Sequence, residues 1–400
     1  MKTLKKTYNY LFFLLVFTIP FEDDIRIIPN ILIGVLAVIL PFIEKNFKHF
    51  LYIKKSYLVA IGLMFFIGLT SFINGTISDD FYIIKKLLIL IAVLILSVPI
   101  KKHTSILLFF IVSVFLGNII SIFNIVDYIL KTENFEIASG QKINDLLFIE
   151  RLYFGFNNSL NVAFSLVLWS KARKKLKIFL LISILLSVFM LLLVASRMAI
   201  ITVFIILLIK IFYHINFKKS LITVALVLGT ISAFFLLNDN LAKRFFYVDK
   251  KNDFVHKIRE WEPRFVIWKC SYIHVKGTTY SLFFGDGFYK TQQNLNKCYI
   301  DSISKEKRLK FFLETRFNTH NQYLDLLMSK GLFGLSIFLF LIYWLYTRNK
   351  KDINKLNILL VLVLFSLVEN FFHRQIGVYL FALILVVLTI TDSEETILNE

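Results

Sequence analysis

The chain has 400 residues, 57% of them hydrophobic and only 18% charged, with 44 phenylalanines. A soluble domain carries roughly a quarter charged residues, and its core cannot absorb this much apolar surface, whereas a bilayer can. The net charge of +19 comes from 46 Lys and Arg against 27 Asp and Glu. The basic residues cluster between apolar runs and do not interleave with stacking aromatics, so they read as topology signals and no nucleic-acid partner is expected.

In chain order, apolar runs long enough to span, or nearly so, fall at about 9–21, 27–43, 56–73, 81–99, 105–124, 154–170, 176–195, 198–213, 220–237, 331–347, 355–371 and 375–391. The expectation is an all-α polytopic membrane protein with about twelve transmembrane helices. The first run follows Lys2, Lys5 and Lys6 and meets Pro20, Phe21, Glu22, Asp23 and Asp24 without a small-residue cleavage site, so it reads as a retained helix. One set of connections is basic: Lys45, Lys48, Lys54 and Lys55; Lys101 and Lys102; Lys171, Arg173, Lys174, Lys175 and Lys177; Lys218 and Lys219; and Arg348, Lys350, Lys351 and Lys355. The alternate set holds Glu22–Asp24, Asp79–Asp80 and two longer segments, about 125–153 and 238–330. The positive-inside rule places the basic set in the cytoplasm and the alternate set outside. The acidic C-terminal tail (Asp392, Glu394, Glu395, Glu400) then returns to the cytoplasm. Three regions follow: nine spans over 1–237, one large outer loop between spans 9 and 10 over 238–330, and three spans with the tail over 331–400.

That loop holds both cysteines, Cys270 and Cys298. Outside the cytoplasm they are a candidate disulfide closing a loop of about thirty residues, worth about 3 kcal/mol on the chain-entropy model. The alternative is two unpaired, partly buried thiols. His256 and His274 lie nearby, but the spacing matches no closed zinc ligand set, and no metal is expected.

The loop ends in Thr315-Arg316-Phe317-Asn318-Thr319-His320-Asn321-Gln322-Tyr323-Leu324, then Asp325 to Gly331. Asn318 or Thr319 suits an N-cap, which would put His320 in the first turn of a short helix ended by Gly331. The positive helix terminus there disfavours imidazolium, leaving a neutral ring able to accept a proton as a general base. The plainer alternative is a surface histidine that caps or hydrogen-bonds locally. Arg197 lies in the tight junction Ala195-Ser196-Arg197. Arg264 opens an amphipathic helix after Pro263, and Arg151 begins the sixth span. Each alone is compatible with an interfacial arginine whose head reaches water. Together they form a candidate cluster of planar donors for phosphate or pyrophosphate. Lys85, Lys86, Glu369, His373 and Arg374 lie at span ends and read as structural pairs or as supports behind the residues that touch substrate. Gly285-Asp286-Gly287 reads as a turn, since a lone Gly-x-Gly is a weak phosphate signal.

The ordered set Arg151-Leu152-Tyr153-Phe154-Gly155, Ser196-Arg197, Arg264, Gly285-Asp286-Gly287-Phe288, His320-Asn321-Gln322-Tyr323-Leu324 and Lys330-Gly331-Leu332-Phe333-Gly334 resembles the O-antigen ligases and the related O-antigen polymerases. The resemblance implies an all-helical glycosyltransferase of the bacterial inner membrane, with its active site facing the periplasm and no metal or other cofactor. Its donor would be a glycan on undecaprenyl pyrophosphate and its acceptor a sugar hydroxyl of lipid A–core. It further implies His320 as the base, Arg197 and Arg264 on the donor pyrophosphate, and Arg151 as a weaker phosphate or structural contact. A polymerase joining lipid-linked repeats shares this outline. A transporter of lipid-linked sugars is the more distant alternative, disfavoured by the scarcity of mid-span charges and of half-to-half symmetry.

Overall fold

A computed structural model describes residues 2–43, 55–132, 142–214, 262–277 and 281–389. The ninth apolar run at 220–237, the loop up to residue 261 with His256, the lysines at 45, 48, 54, 218 and 219, and the acidic tail lie outside the described residues. Within them the chain is all-helical, without a strand. Among the described residues, three helices are long and apolar enough to cross a membrane: His103–Thr132, Lys174–Val194 and Gln322–Asn349. Shorter apolar helices complete the bundle.

The elements are α1 (Lys2–Thr18), α2 (Glu22–Ile25), α3 (Ile27–Ile43), α4 (Lys55–Ile73), α5 (Ile77–Leu96), α6 (His103–Thr132), α7 (Lys142–Leu146), α8 (Arg151–Trp169), α9 (Lys174–Val194), α10 (Arg197–His214), α11 (Pro263–Lys276), α12 (Phe288–Ser302), α13 (Glu306–Thr315), α14 (Gln322–Asn349), α15 (Ile353–Ser366) and α16 (Gln375–Leu388). Two of them form the centre. α16 is buried at every residue from Ile376 to Leu388, as its uniformly apolar sequence requires. α8 contacts α6, α9, α10 and α15 and is buried from Tyr153 through Ser165. α8 is nevertheless polar at Asn158 and Asn161. Inside a bundle these amides need partners: Asn118 donates to Asn158 at 2.8 Å, and Asn161 donates to Ser187 at 2.7 Å and Ser183 at 2.9 Å.

Hydrogen bonds from Asn349 to the Leu388 carbonyl and from Lys210 to Asn354 gather the basic connections at one end of the bundle. At the other end α11, α12 and α13, with the start of α14, form a small second core of Ile267, Cys270, Leu295, Tyr299, Ile303, Phe312 and Met328. Cys270 and Cys298 are joined there as a disulfide, tying α11 to α12. Gly331 breaks α14 with φ +65°, ψ −165°, separating a short helix from the long apolar one. The Gly285-Asp286-Gly287 turn packs on this break: Asp286 and Gly287 N–H donate to the Met328 and Ser329 carbonyls, and Leu332 and Phe333 N–H donate to Leu282 and Phe283. The turn therefore supports the kink. Under it, Lys330, wholly buried, reaches Ser71 Oγ at 2.6 Å and Asp80 Oδ2 at 3.4 Å. Asp80, read from the sequence as part of an outer connection, is thus inside α5 and wholly buried. The helix begins four residues before the apolar run at 81–99, because this lysine offers its carboxylate a partner.

Candidate active site

A cavity of about 540 Å³ opens at the end of the bundle away from the basic connections. Arg151, Arg197, Arg264 and His320, dispersed over 170 residues of sequence, all line it, together with Arg316, Arg374, Glu150, Glu262 and Glu369. Its size falls in the ordinary range for small-molecule sites.

Local backbone explains the convergence. α9 ends with Ala195 in the left-handed region (φ +53°), turning the chain sharply into Arg197 at the start of α10. The turn fits against α8 because residue 155 is glycine: a Cβ there would lie 2.3 Å from Ser196 Oγ. That contact brings together the starts of α8 and α10, from which Arg151 and Arg197 line the cavity. Three non-glycine residues have positive φ among the described residues, Ala195, Arg316 and His320, and all three line this cavity. Such conformations cost about 1–3 kcal/mol each and persist where the surroundings over-determine them, typically at functional sites.

The histidine segment is pinned residue by residue. The Phe317 carbonyl accepts from Gln292 at 3.0 Å and Tyr299 at 3.2 Å. Burial pushes the Tyr299 phenol up, so it stays a donor. Trp268 Nε1 donates to the Thr319 carbonyl at 3.2 Å. His320 N–H donates to Asn318 Oδ1 at 3.0 Å, and Thr319 Oγ1 donates to the Asn321 carbonyl at 3.1 Å and accepts from Asn370 at 2.9 Å. With both side chains so engaged, neither Asn318 nor Thr319 is the helix cap. The N-cap is Asn321, whose Oδ1 accepts from Tyr323 and Leu324 N–H at 3.0 Å each. His320 therefore precedes the cap and is not in the first helical turn, so the helix-terminus argument does not apply to it.

A carboxylate orients the ring instead. Glu369 Oε2 lies 3.3 Å from His320 Nδ1, and Glu369 Oε1 accepts from Tyr153 OH at 3.2 Å. A carboxylate on Nδ1 fixes the tautomer in which Nε2 is the free acceptor. Glu369 is thus part of the cavity and not only a charge at a span end. Its neighbours are used as well. Asn370 Oδ1 accepts Asn321 N–H at 2.6 Å, and His373 Nε2 is 3.0 Å from Asp325. Arg374 binds Glu150 and Asp23, the latter at 3.1 Å. Glu262 bridges two arginines of the same cavity, 3.6 Å from Arg197 Nη1 and 3.1 Å from Arg264 Nη1. The buried Arg264 Nε has no hydrogen-bond partner among the described residues.

Sequence spacing did not single out Glu262, Glu369, Tyr153 or Arg316 as cavity residues. Only the pairing of Glu369 with an opposite charge at a span end had a visible signal. Among the described residues no group of three or more His, Cys, Asp or Glu is placed to hold a metal ion.

Apolar helices long enough to cross a membrane thus carry, at one end of the bundle, a cavity that brings five arginines together with a carboxylate-paired histidine. Residues 182–339 match the family model described as O-antigen ligase. The matched stretch contains Arg197, Arg264, Arg316 and His320; Arg151 and Glu369 lie outside it. No curated protein matches the chain.

Proposed function

We propose that the protein is an O-antigen ligase of the inner membrane, transferring a glycan from undecaprenyl pyrophosphate to a sugar hydroxyl of lipid A–core on the periplasmic side. The observation that carries the reading is the single cavity holding Arg197 and Arg264 on one wall and a carboxylate-oriented His320 on another. The orientation follows from the basic connections at the far end of the bundle, which the positive-inside rule assigns to the cytoplasm. About twelve spans and a periplasmic 238–330 loop complete this topology.

His320 Nε2 takes the proton of the acceptor hydroxyl as its oxygen attacks the anomeric carbon of the donor. The bond from that carbon to the phosphate oxygen breaks, and its electron pair leaves with the undecaprenyl diphosphate. Negative charge grows on the leaving group, where Arg197 and Arg264 stabilise it, with Arg151 adding charge at the same rim. Glu369 holds the ring and stabilises the imidazolium formed, which surrenders its proton to the departing diphosphate or to water.

The test is transfer in vitro with a lipid-diphosphate-linked glycan and lipid A–core. Wild-type protein should form the glycosidic bond and His320→Ala should not, while still inserting in the membrane. Normal transfer by His320→Ala would remove the histidine from the mechanism. Offering a second lipid-linked repeat as acceptor separates the ligase from the polymerase, whose chemistry at this cavity would be the same.

A further inference from the structure

Arg316 has no role in the scheme above, yet it lines the cavity four residues before His320. It is the C-cap of α13 and adopts φ +50°, ψ +51°. A helix end in this conformation favours glycine, because an L side chain is strained there. The sequence keeps a long cationic side chain where the backbone alone would select none. The segment beyond it, Phe317 to Asn321, is held by side-chain hydrogen bonds at every residue, so the stem of Arg316 projects from a rigid base.

The charges around it complete the picture. Arg197 and Arg264 share Glu262, and Arg374 is held by Glu150 and Asp23. Arg316 is exposed and makes no ion pair with a described residue, although Glu314 and Glu306 belong to its own helix and Glu262 and Glu369 line the same cavity. Five arginines and three glutamates line the cavity. A guanidinium held in strained backbone, without a carboxylate, beside the group that must meet the acceptor is arranged for an anion brought by substrate.

We infer that Arg316 binds a phosphoryl group of a substrate in this cavity, which deepens the proposed glycosyl transfer and rests on it for the identity of the substrates. The phosphoryl group is either the donor's diphosphate or a sugar phosphate of the acceptor. The shared chemistry is a bidentate guanidinium–phosphate contact.

The experiment uses Arg316→Gly in the purified full chain. Glycine relieves the left-handed strain, so thermal stability should hold or rise and a binding loss cannot be put down to misfolding. Removing a charge-assisted hydrogen bond should raise one KM about tenfold to a hundredfold, with kcat much less affected. A rise in donor KM assigns the diphosphate. A rise in acceptor KM that disappears with enzymatically dephosphorylated acceptor assigns the acceptor phosphate. Arg316→Lys should recover part of either loss. Equilibrium binding of inorganic pyrophosphate to wild type and Arg316→Gly is measured alongside. If wild type does not transfer glycan but loses pyrophosphate affinity on Arg316→Gly, the glycosyl-transfer reading fails and the anion site stands. Unchanged KM values and unchanged pyrophosphate affinity in Arg316→Gly overturn the inference, whether or not wild type transfers.

Discussion

Replacing Glu369 with Gln changes one atom in a side chain that is 6% exposed, so packing is kept and the loss is electrostatic. The wild-type carboxylate accepts two hydrogen bonds, from His320 Nδ1 at 3.3 Å and Tyr153 OH at 3.2 Å. A glutamine has one carbonyl oxygen for the two donors, and its amide must face one of them. The larger effect arises as His320 takes a proton. The imidazolium then lies beside a neutral amide where it had faced a carboxylate. With the delocalised charge centres about 4 Å apart, an effective dielectric of about 20 makes the attraction about 4 kcal/mol, and partial exposure of the ring reduces it to about 3 kcal/mol. That corresponds to roughly a hundredfold fall in kcat with little change in donor KM. His320→Ala should cost about 10²–10⁴. Because Glu369 acts through His320, the double substitution should be no slower than His320→Ala alone. Initial rates of glycan transfer for the four proteins make the cycle, with melting temperatures as the folding control. Losses that multiply in the double variant, or Glu369→Gln within about twofold of wild type, would refute the coupling.

Arg197→Lys and Arg264→Lys keep the charge but lose the planar fork, and each should lower kcat/KM about tenfold; the alanine variants should lose about 10²–10³, read in the same transfer assay. Gly331→Ala should lower stability by about 2–4 kcal/mol in detergent melts, since φ is +65° and the added Cβ would stand 2.3 Å from the Phe283 carbonyl carbon. Lys330→Met strands the wholly buried Asp80 carboxylate and should cost about 3–5 kcal/mol, whereas Lys330→Met with Asp80→Asn should recover most of that in the same melts.

The helical runs were legible because a bilayer-scale apolar stretch has one common solution, and the sequence boundaries fall within a few residues of many helices. The departures have physical causes. α6 continues through Asn124, Asp127 and Lys131 to Thr132, past the apolar run at 105–124, because an exposed i,i+4 pair of Asp127 and Lys131 supports its last turns. The cap at Asn321 was missed because three neighbouring residues, Asn318, Thr319 and Asn321, are all competent caps, and tertiary partners decide among them. Asn370, 49 residues from Asn321, takes Thr319 and the Asn321 N–H and leaves only one arrangement. The arginines could be nominated from chemistry, but their meeting depended on Gly155 admitting Ser196, a contact no spacing encodes. Glu369 and His320 belong to the same class. Each is readable alone, and their pairing is a product of how α15 ends against the loop.

The same contacts that stabilise this end of the bundle also aim its reactive groups. Lys330 anchors the kink from below through Ser71 and Asp80, and the Gly285 turn braces it from the side. The short helix between that kink and Asn321 is therefore fixed at both ends, and Asp325 within it is held by His373. His373 belongs to the turn that also supplies Glu369 to His320, Asn370 to the cap and Arg374 to Glu150 and Asp23. A displacement of that turn would move the base, its orienting carboxylate and one cationic wall together, so their relative geometry is protected even if the turn shifts as a unit. The left-handed backbone at Ala195, Arg316 and His320 is affordable for the same reason. Each strained residue adjoins a helix end or a hydrogen-bonded loop held by elements far away in sequence, so relaxing it would require breaking contacts worth more than the strain.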